Sequence, residues 1–149
     1  MQIVIEGYAS VFGVADRFGD IVCKGAFLKS LDRQKPTILF QHKEEQGSLV
    51  ECFEDDYGLK VKASLCFAGL IGTIRLLNML DDDLKGLSIG FRTEECEIKV
   101  GKRYLKVLDL REISLVHFPA HELCSFKIVG LSQECLSILK TQLLESLES

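Results

Sequence analysis

The chain has no tryptophan, only two prolines and only three histidines in 149 residues. Scarce histidine narrows any imidazole chemistry to His42, His117 or His121. The six cysteines are Cys23, Cys52, Cys66, Cys96, Cys124 and Cys135. They form no CxxC pair and no Cys/His cluster at zinc-finger spacing, which argues against a metal site. There is no long run of Lys and Arg, and the net charge is −4. Phosphate backbones are bound by clustered cations, so nucleic acid is not an expected partner. No apolar stretch approaches the length of a membrane span, so no membrane partner is expected either. There is no internal repeat, low-complexity tract or clear second domain.

What is present is the balance of a folded domain. Apolar residues make up 47% and charged residues 27%, too apolar for a disordered chain. A chain of 149 residues can enclose one sizeable core. Met1 leads straight into the strand-like Gln2-Ile3-Val4-Ile5-Glu6, so no secretory leader is expected. The cysteines then read as reduced, mostly buried thiols of a cytoplasmic protein.

Periodicity divides the chain into strands and helices. Residues 2–12 read as a strand, ended by Gly13. A polar loop spans 16–20, and a short helix spans 26–34 before Pro36. Residues 37–42 form a second strand and 43–47 a polar turn. A hairpin joins 48–54 to 59–67, where Leu59, Val61, Ala63 and Leu65 alternate with polar residues. A helix spans 70–84, with Ile74, Leu77, Leu80 and Leu84 as its apolar stripe. Two long strands, 87–98 and 104–118, meet at a turn near Gly101, and 126–129 is a last short strand. The helical pattern returns from Leu131 with Leu136, Leu139, Leu143 and Leu147. The expected fold is a closed or nearly closed antiparallel β-barrel of six to seven strands with helices outside it. Residues 1–130 form the domain and 131–149 an amphipathic helix or tail.

Three segments could carry chemistry. In Gly86-Leu87-Ser88-Ile89-Gly90-Phe91, strand alternation puts Ser88 and both glycines on one face. A serine so flanked is open to close approach, as a nucleophile must be, though a small-residue face at a bend looks the same. His42 ends an apolar strand, where it is either a general base or a surface cap. In the segment 109–116, Leu110, Glu112 and Ser114 share one face, while Ile113 and Leu115 point the other way. A carboxylate in so apolar a strand needs a partner. His42 would supply one as the imidazole of a triad, and Arg111 would supply one as an ordinary ion pair.

The order of motifs is more specific than any one of them. Gly7-Tyr8-Ala9-Ser10-Val11-Phe12, Asp16-Arg17-Phe18-Gly19-Asp20 and Lys24-Gly25-Ala26-Phe27 come first. Leu39-Phe40-Gln41-His42, the Ser88 segment, and Glu112-Ile113-Ser114-Leu115-Val116 with Phe118-Pro119-Ala120 follow. In this order the chain resembles the HK97-type prohead (capsid-maturation) serine proteases of tailed phages. The resemblance implies a fold similar to the herpesvirus assemblin proteases, a β-barrel wrapped by helices. It also implies Ser88 as nucleophile, His42 as base and Glu112 as third member. The herpesvirus relatives use a second histidine as that member, so His117 is the rival to Glu112. No cofactor is implied.

The implied substrate is the scaffold protein or the scaffolding region of the capsid protein, within an immature capsid in the bacterial host. Self-cleavage and homo-oligomer formation are further expectations. The turn Pro119-Ala120-His121 is the candidate source of oxyanion donors. A non-catalytic capsid-assembly module on the same barrel is the alternative, and a small ligand-binding barrel a more distant one.

Overall fold

Period-two patterning becomes a single sheet in the computed structural model, which describes residues 1–81 and 84–149. Among these residues there are eight strands and three helices. The strands are β1 (Gln2–Val11), β2 (Asp20–Val22), β3 (Thr37–Phe40), β4 (Glu44–Glu54), β5 (Gly58–Cys66), β6 (Gly86–Lys99), β7 (Lys102–Val116) and β8 (Phe126–Leu131). The helices are α1 (Leu28–Arg33), α2 (Gly69–Leu80) and α3 (Gln133–Glu148). None is long and apolar enough to cross a membrane among the described residues.

The strands run in the order β2-β7-β3-β4-β5-β1-β8, with β6 also paired to β7. Four ladders, β1–β5, β1–β8, β3–β4 and β4–β5, are antiparallel. The long strand β7 is the exception and the hub. It pairs antiparallel with β6 and parallel with both β2 and β3. The expectation of a closed or nearly closed antiparallel barrel of six to seven strands is corrected accordingly. The sheet has eight strands, is mixed and is not closed. Parallel pairing follows from the route of the chain, which reaches β3 through α1 rather than a hairpin. Between β6 and the start of β8 only an isolated bridge, Gly86 to Ser125, spans the opening.

The core lies under the alternating strands. Leu59, Val61, Ala63 and Leu65 of β5 are at most 1% exposed, as their alternation requires. They pack with Ile3 and Ile5 of β1 and with Leu105, Leu108, Leu110, Ile113 and Leu115 of β7. Lys43 lies in a turn as its stretch predicts, but 44–47 instead supply the first residues of β4.

Helix α2 buries a different face from the one its stripe predicts. Gly72, Leu76 and Met79 point inward, while Ile74 is about half exposed. Gly72 sets this rotation: a Cβ there would lie 2.9 Å from the carbonyl carbon of Phe67. Leu84 is buried beyond the helix end, and the predicted continuation through 82–83 falls outside the described residues. Helix α3 starts with a Ser132 cap that accepts the Cys135 N–H. Cys135 is buried, whereas Leu144 and Leu147 are exposed.

All six cysteines are free thiols, but only Cys124 and Cys135 are buried. Cys66 and Cys96 are exposed, which corrects the mostly buried expectation. Burial pushes the Cys52 thiol up to about 12, helped by the charge of Glu54, and the Cys124 thiol up to about 11.

The sequence gives no hint of Glu54's role. Its two oxygens accept the N–H groups of Gly25 (2.8 Å) and Phe27 (3.0 Å). They hold the turn into α1, where Gly25 has a φ of +93°. Glu54→Ala strands both donors and should lower Tm by about 5 °C, read by thermal denaturation. Limited alkylation at pH 8 should label Cys66 and Cys96 first. Mass spectrometry should find Cys52 and Cys124 modified only after unfolding.

Candidate active site

Two residues in left-handed geometry, Val100 and Gly101, close the β6–β7 hairpin at φ +51° and +75°. From this turn the strands pair back to Phe91 opposite Leu110. The next β6 residue, Gly90, is opposite Glu112, so Arg111 is an extra residue bulged out of β7. The bulge reverses which β7 residues face the core. Leu108 and Leu110 are buried before it, and Ile113 and Leu115 after it. Leu110 therefore does not share a face with Glu112 and Ser114, contrary to simple alternation.

Past the bulge, Ser88 stands opposite Ser114 and Gly90 opposite Glu112. Directly paired residues project to the same side of a sheet. The Glu112 side chain lies across Gly90, where a Cβ would meet Glu112 Cγ at 2.4 Å. The glycine beside the serine thus makes room for a carboxylate. Arg111, the alternative ion partner, turns to Asp109 at 2.6 Å instead.

The imidazole arrives from β3, which runs parallel to β7 with Leu39 opposite Ser114. The strand ends at Phe40, so His42 belongs to a turn and not to the strand end predicted for it. Gln41 and His42 adopt φ of +51° and +61°, a region non-glycine residues seldom occupy. Three hydrogen bonds hold them there. Gln41 N–H donates to the Leu115 carbonyl (2.9 Å), His42 N–H to Ser114 Oγ (3.2 Å), and His117 N–H to Gln41 Oε1 (3.2 Å). The turn sets His42 Nδ1 in a hydrogen bond with Glu112 Oε1. The other Glu112 oxygen accepts from Ser114 Oγ at 3.3 Å.

His42 and Ser88 line one cavity of about 300 Å³. His117, the rival third member, stands edge-on to the Phe40 ring at 6.3 Å between centroids. Ala120 and His121 of the candidate oxyanion turn also line the cavity. His121 braces that turn, its Nδ1 accepting the Leu123 N–H and its carbonyl the Cys124 N–H, both at 3.0 Å. The opposite wall is the loop after β1. Asp16 Oδ1 accepts the N–H groups of Phe18 (2.9 Å) and Asp20 (3.0 Å). Arg103 clamps Asp20 with two bonds of 2.8 and 2.7 Å. Arg17 N–H donates to the Ala120 carbonyl at 3.0 Å, tying the two walls together. The acidic residues of this motif are therefore turn builders.

Cys124 is a second potential nucleophile in the cavity. Burial raises its thiol to about 11, so it stays protonated and weakly nucleophilic near neutral pH. Among the described residues no group of three or more His, Cys, Asp or Glu side chains is arranged to hold a metal ion. Ser114 and Gln41 are the site residues whose contributions sequence reasoning missed. Ser114 could have been found by its shared face with Glu112, whereas Gln41 gives no signal before the turn is seen.

Comparison with known proteins accords with this geometry. The family described as caudovirus prohead serine protease matches residues 1–135. The prohead protease of Enterobacteria phage HK97 is 36% identical over 130 residues, covering 81% of this chain and 57% of the phage protein. The chain thus spans a little over half the length of that relative. Varicella-zoster virus protease has a TM-score of 0.58 at 12% identity, with 97% of this chain and 77% of the viral chain covered. KSHV protease in complex with a hexapeptide phosphonate inhibitor gives 0.58 at 14%, with 92% and 69% covered. At such identities the likeness to the herpesvirus enzymes is one of fold. The match over residues 1–135 means that the chain belongs to the caudovirus prohead serine protease family.

Proposed function

We propose that the chain is a serine endopeptidase with Ser88 as nucleophile, His42 as general base and Glu112 as the orienting acid. The observation that carries this reading is the hydrogen bond between Glu112 and His42 Nδ1. It commits the Nδ1 proton to the carboxylate and leaves Nε2 as the basic nitrogen. Ser88 and the ring line the same cavity. In unliganded sites such pairs commonly tighten only around substrate.

In the proposed reaction His42 Nε2 takes the hydroxyl proton as Ser88 Oγ attacks the peptide carbonyl. The imidazolium, stabilised by Glu112, then protonates the leaving amine. Water hydrolyses the acyl-enzyme by the same proton route in reverse. Pro119 has no N–H, so the oxyanion donors would be Ala120 and His121 of the cavity turn.

The substrates are the scaffold protein, or the scaffolding region of the capsid protein, and the protease chain itself. Family membership supports this reading. Cleavage would occur inside the immature capsid in the host cytoplasm. Residues 1–130 act as the protease domain; of the tail 131–149, Leu131 completes β8 and α3 is docked on β1 through Ser132 and Cys135. A homo-oligomer fits inside such a particle as well as a monomer does.

Ser88→Ala should lower cleavage of a co-expressed scaffold by at least about 10⁴-fold with Tm unchanged. A fluorophosphonate probe should label the native chain and not this variant. Absence of labelling in native, scaffold-cleaving protein would remove Ser88 as nucleophile, and absence of both labelling and cleavage would favour the assembly-module reading. Glu112→Gln should cost about 10⁴-fold by leaving the wrong imidazole tautomer, and His117→Asn no more than a few-fold. The reverse ranking would make His117 the third member. Gly90→Ala should displace the Glu112 carboxylate and reduce turnover about 10²-fold in the same cleavage assay.

A further inference from the structure

Ser114 is fully buried and sits between the two groups on which the proposed chemistry turns. It is opposite Ser88 on β6 and opposite Leu39 on β3. Its neighbours Ile113 and Leu115 are core residues. A hydroxyl in such surroundings is costly unless both its donor and acceptor capacities are used. Both are used here, and by residues of the site. The proton goes to Glu112 Oε2 at 3.3 Å, and a lone pair accepts the His42 N–H at 3.2 Å.

These two bonds do different things. The bond from His42 N–H restrains a backbone held at φ +61°, a conformation that non-glycine residues seldom adopt. The bond to Glu112 fixes the carboxylate's rotation, so that its other oxygen meets Nδ1. We infer that Ser114 is a positioning residue that registers the base against the acid through one hydroxyl. It touches neither substrate nor the reacting atoms. It acts by coupling the main chain of His42 to the side chain of Glu112, and its small size leaves the cross-strand space to Ser88. The inference rests on the Ser88–His42–Glu112 reading.

The test compares Ser114→Ala, Ser114→Thr and Glu112→Gln in the full chain with a peptide substrate, together with the proton NMR signal of His42 Nδ1–H. That signal should lie far downfield in the native protein because the proton is shared with a carboxylate. Ser114→Ala should reduce kcat about 10–100-fold with KM within about two-fold, and broaden or lose the signal while the fold is retained. Ser114→Thr, which keeps the hydroxyl, should recover most of both. A folded Ser114→Ala protein with native kcat and a native signal overturns the inference. So does a Ser114→Thr protein that folds natively yet behaves like Ser114→Ala. If Ser114→Ala does not fold, Ser114→Cys, which keeps the size and weakens both bonds, is held to the same two readouts. Native turnover in Glu112→Gln would instead sink the triad reading itself. A severe Glu112→Gln beside a silent Ser114→Ala would sink only the role of Ser114.

Discussion

β7 buries Leu108 and Leu110, then Ile113 and Leu115, and the change of parity falls at the bulged Arg111. The placing of Glu112 beside Gly90 and of Ser114 beside Ser88 depends on that extra residue. Strand side chains alternate with a period of two, so one residue of slip carries a whole set to the opposite face. In an unbulged ladder Glu112 would pair with Ile89 rather than with Gly90. Its carboxylate would then have no glycine to lie across, and Ser114 would no longer face Ser88. The Val100-Gly101 turn starts the register, and the bulge shifts it just before Glu112 and Ser114. Bulges recur beside active sites for this reason: they re-aim a few side chains while the rest of the strand keeps its core contacts.

The second half of the site is a turn held by hydrogen bonds. Gln41 and His42 stay in the left-handed region because hydrogen bonds with Ser114, Leu115 and His117, at the end of β7 and just beyond it, meet them there. One strand therefore carries Glu112, orders the turn of His42 and faces Ser88. This economy explains why β7 needs parallel neighbours. Only a parallel β3 ends beside the downstream half of β7 and releases the chain into a turn over Glu112. A purely antiparallel barrel with hairpin connections would bring that turn to the wrong end of the strand.

The limits of the sequence reading follow from the same features. Strand identities were legible because Leu59, Val61, Ala63 and Leu65 alternate cleanly, and because Val100-Gly101 punctuates two long β-rich runs. Ser88, His42 and Glu112 were legible through motif order more than through spacing. Alternation placed Ser88 correctly, yet it grouped Leu110 with Glu112, because a bulge at an arginine leaves no mark in hydrophobic pattern. The inward face of α2 was misjudged for a similar reason. A stripe of leucines outweighs one glycine in any periodicity count, but close approach to the Phe67 backbone is decided by Gly72. Parallel pairing and the left-handed turn are non-local and could not be read from either segment alone.

The family match ends at residue 135, which is also where packing of the C-terminal helix becomes thin. Ser132 N–H donates to the Gln2 carbonyl at 3.0 Å, its hydroxyl accepts from Gln2 N–H at 3.3 Å, and Cys135 is wholly buried. Cys135 is the last buried residue among the described side chains of α3. The first turn of α3 is therefore bound to β1 as part of the folded unit. Beyond it, exposed Leu144 and Leu147 contribute nothing to the core. β1 lines the cavity through Ala9, Ser10 and Val11, so the anchor at residues 132–135 falls within its reach. Exposed Leu144 and Leu147 add no such anchor.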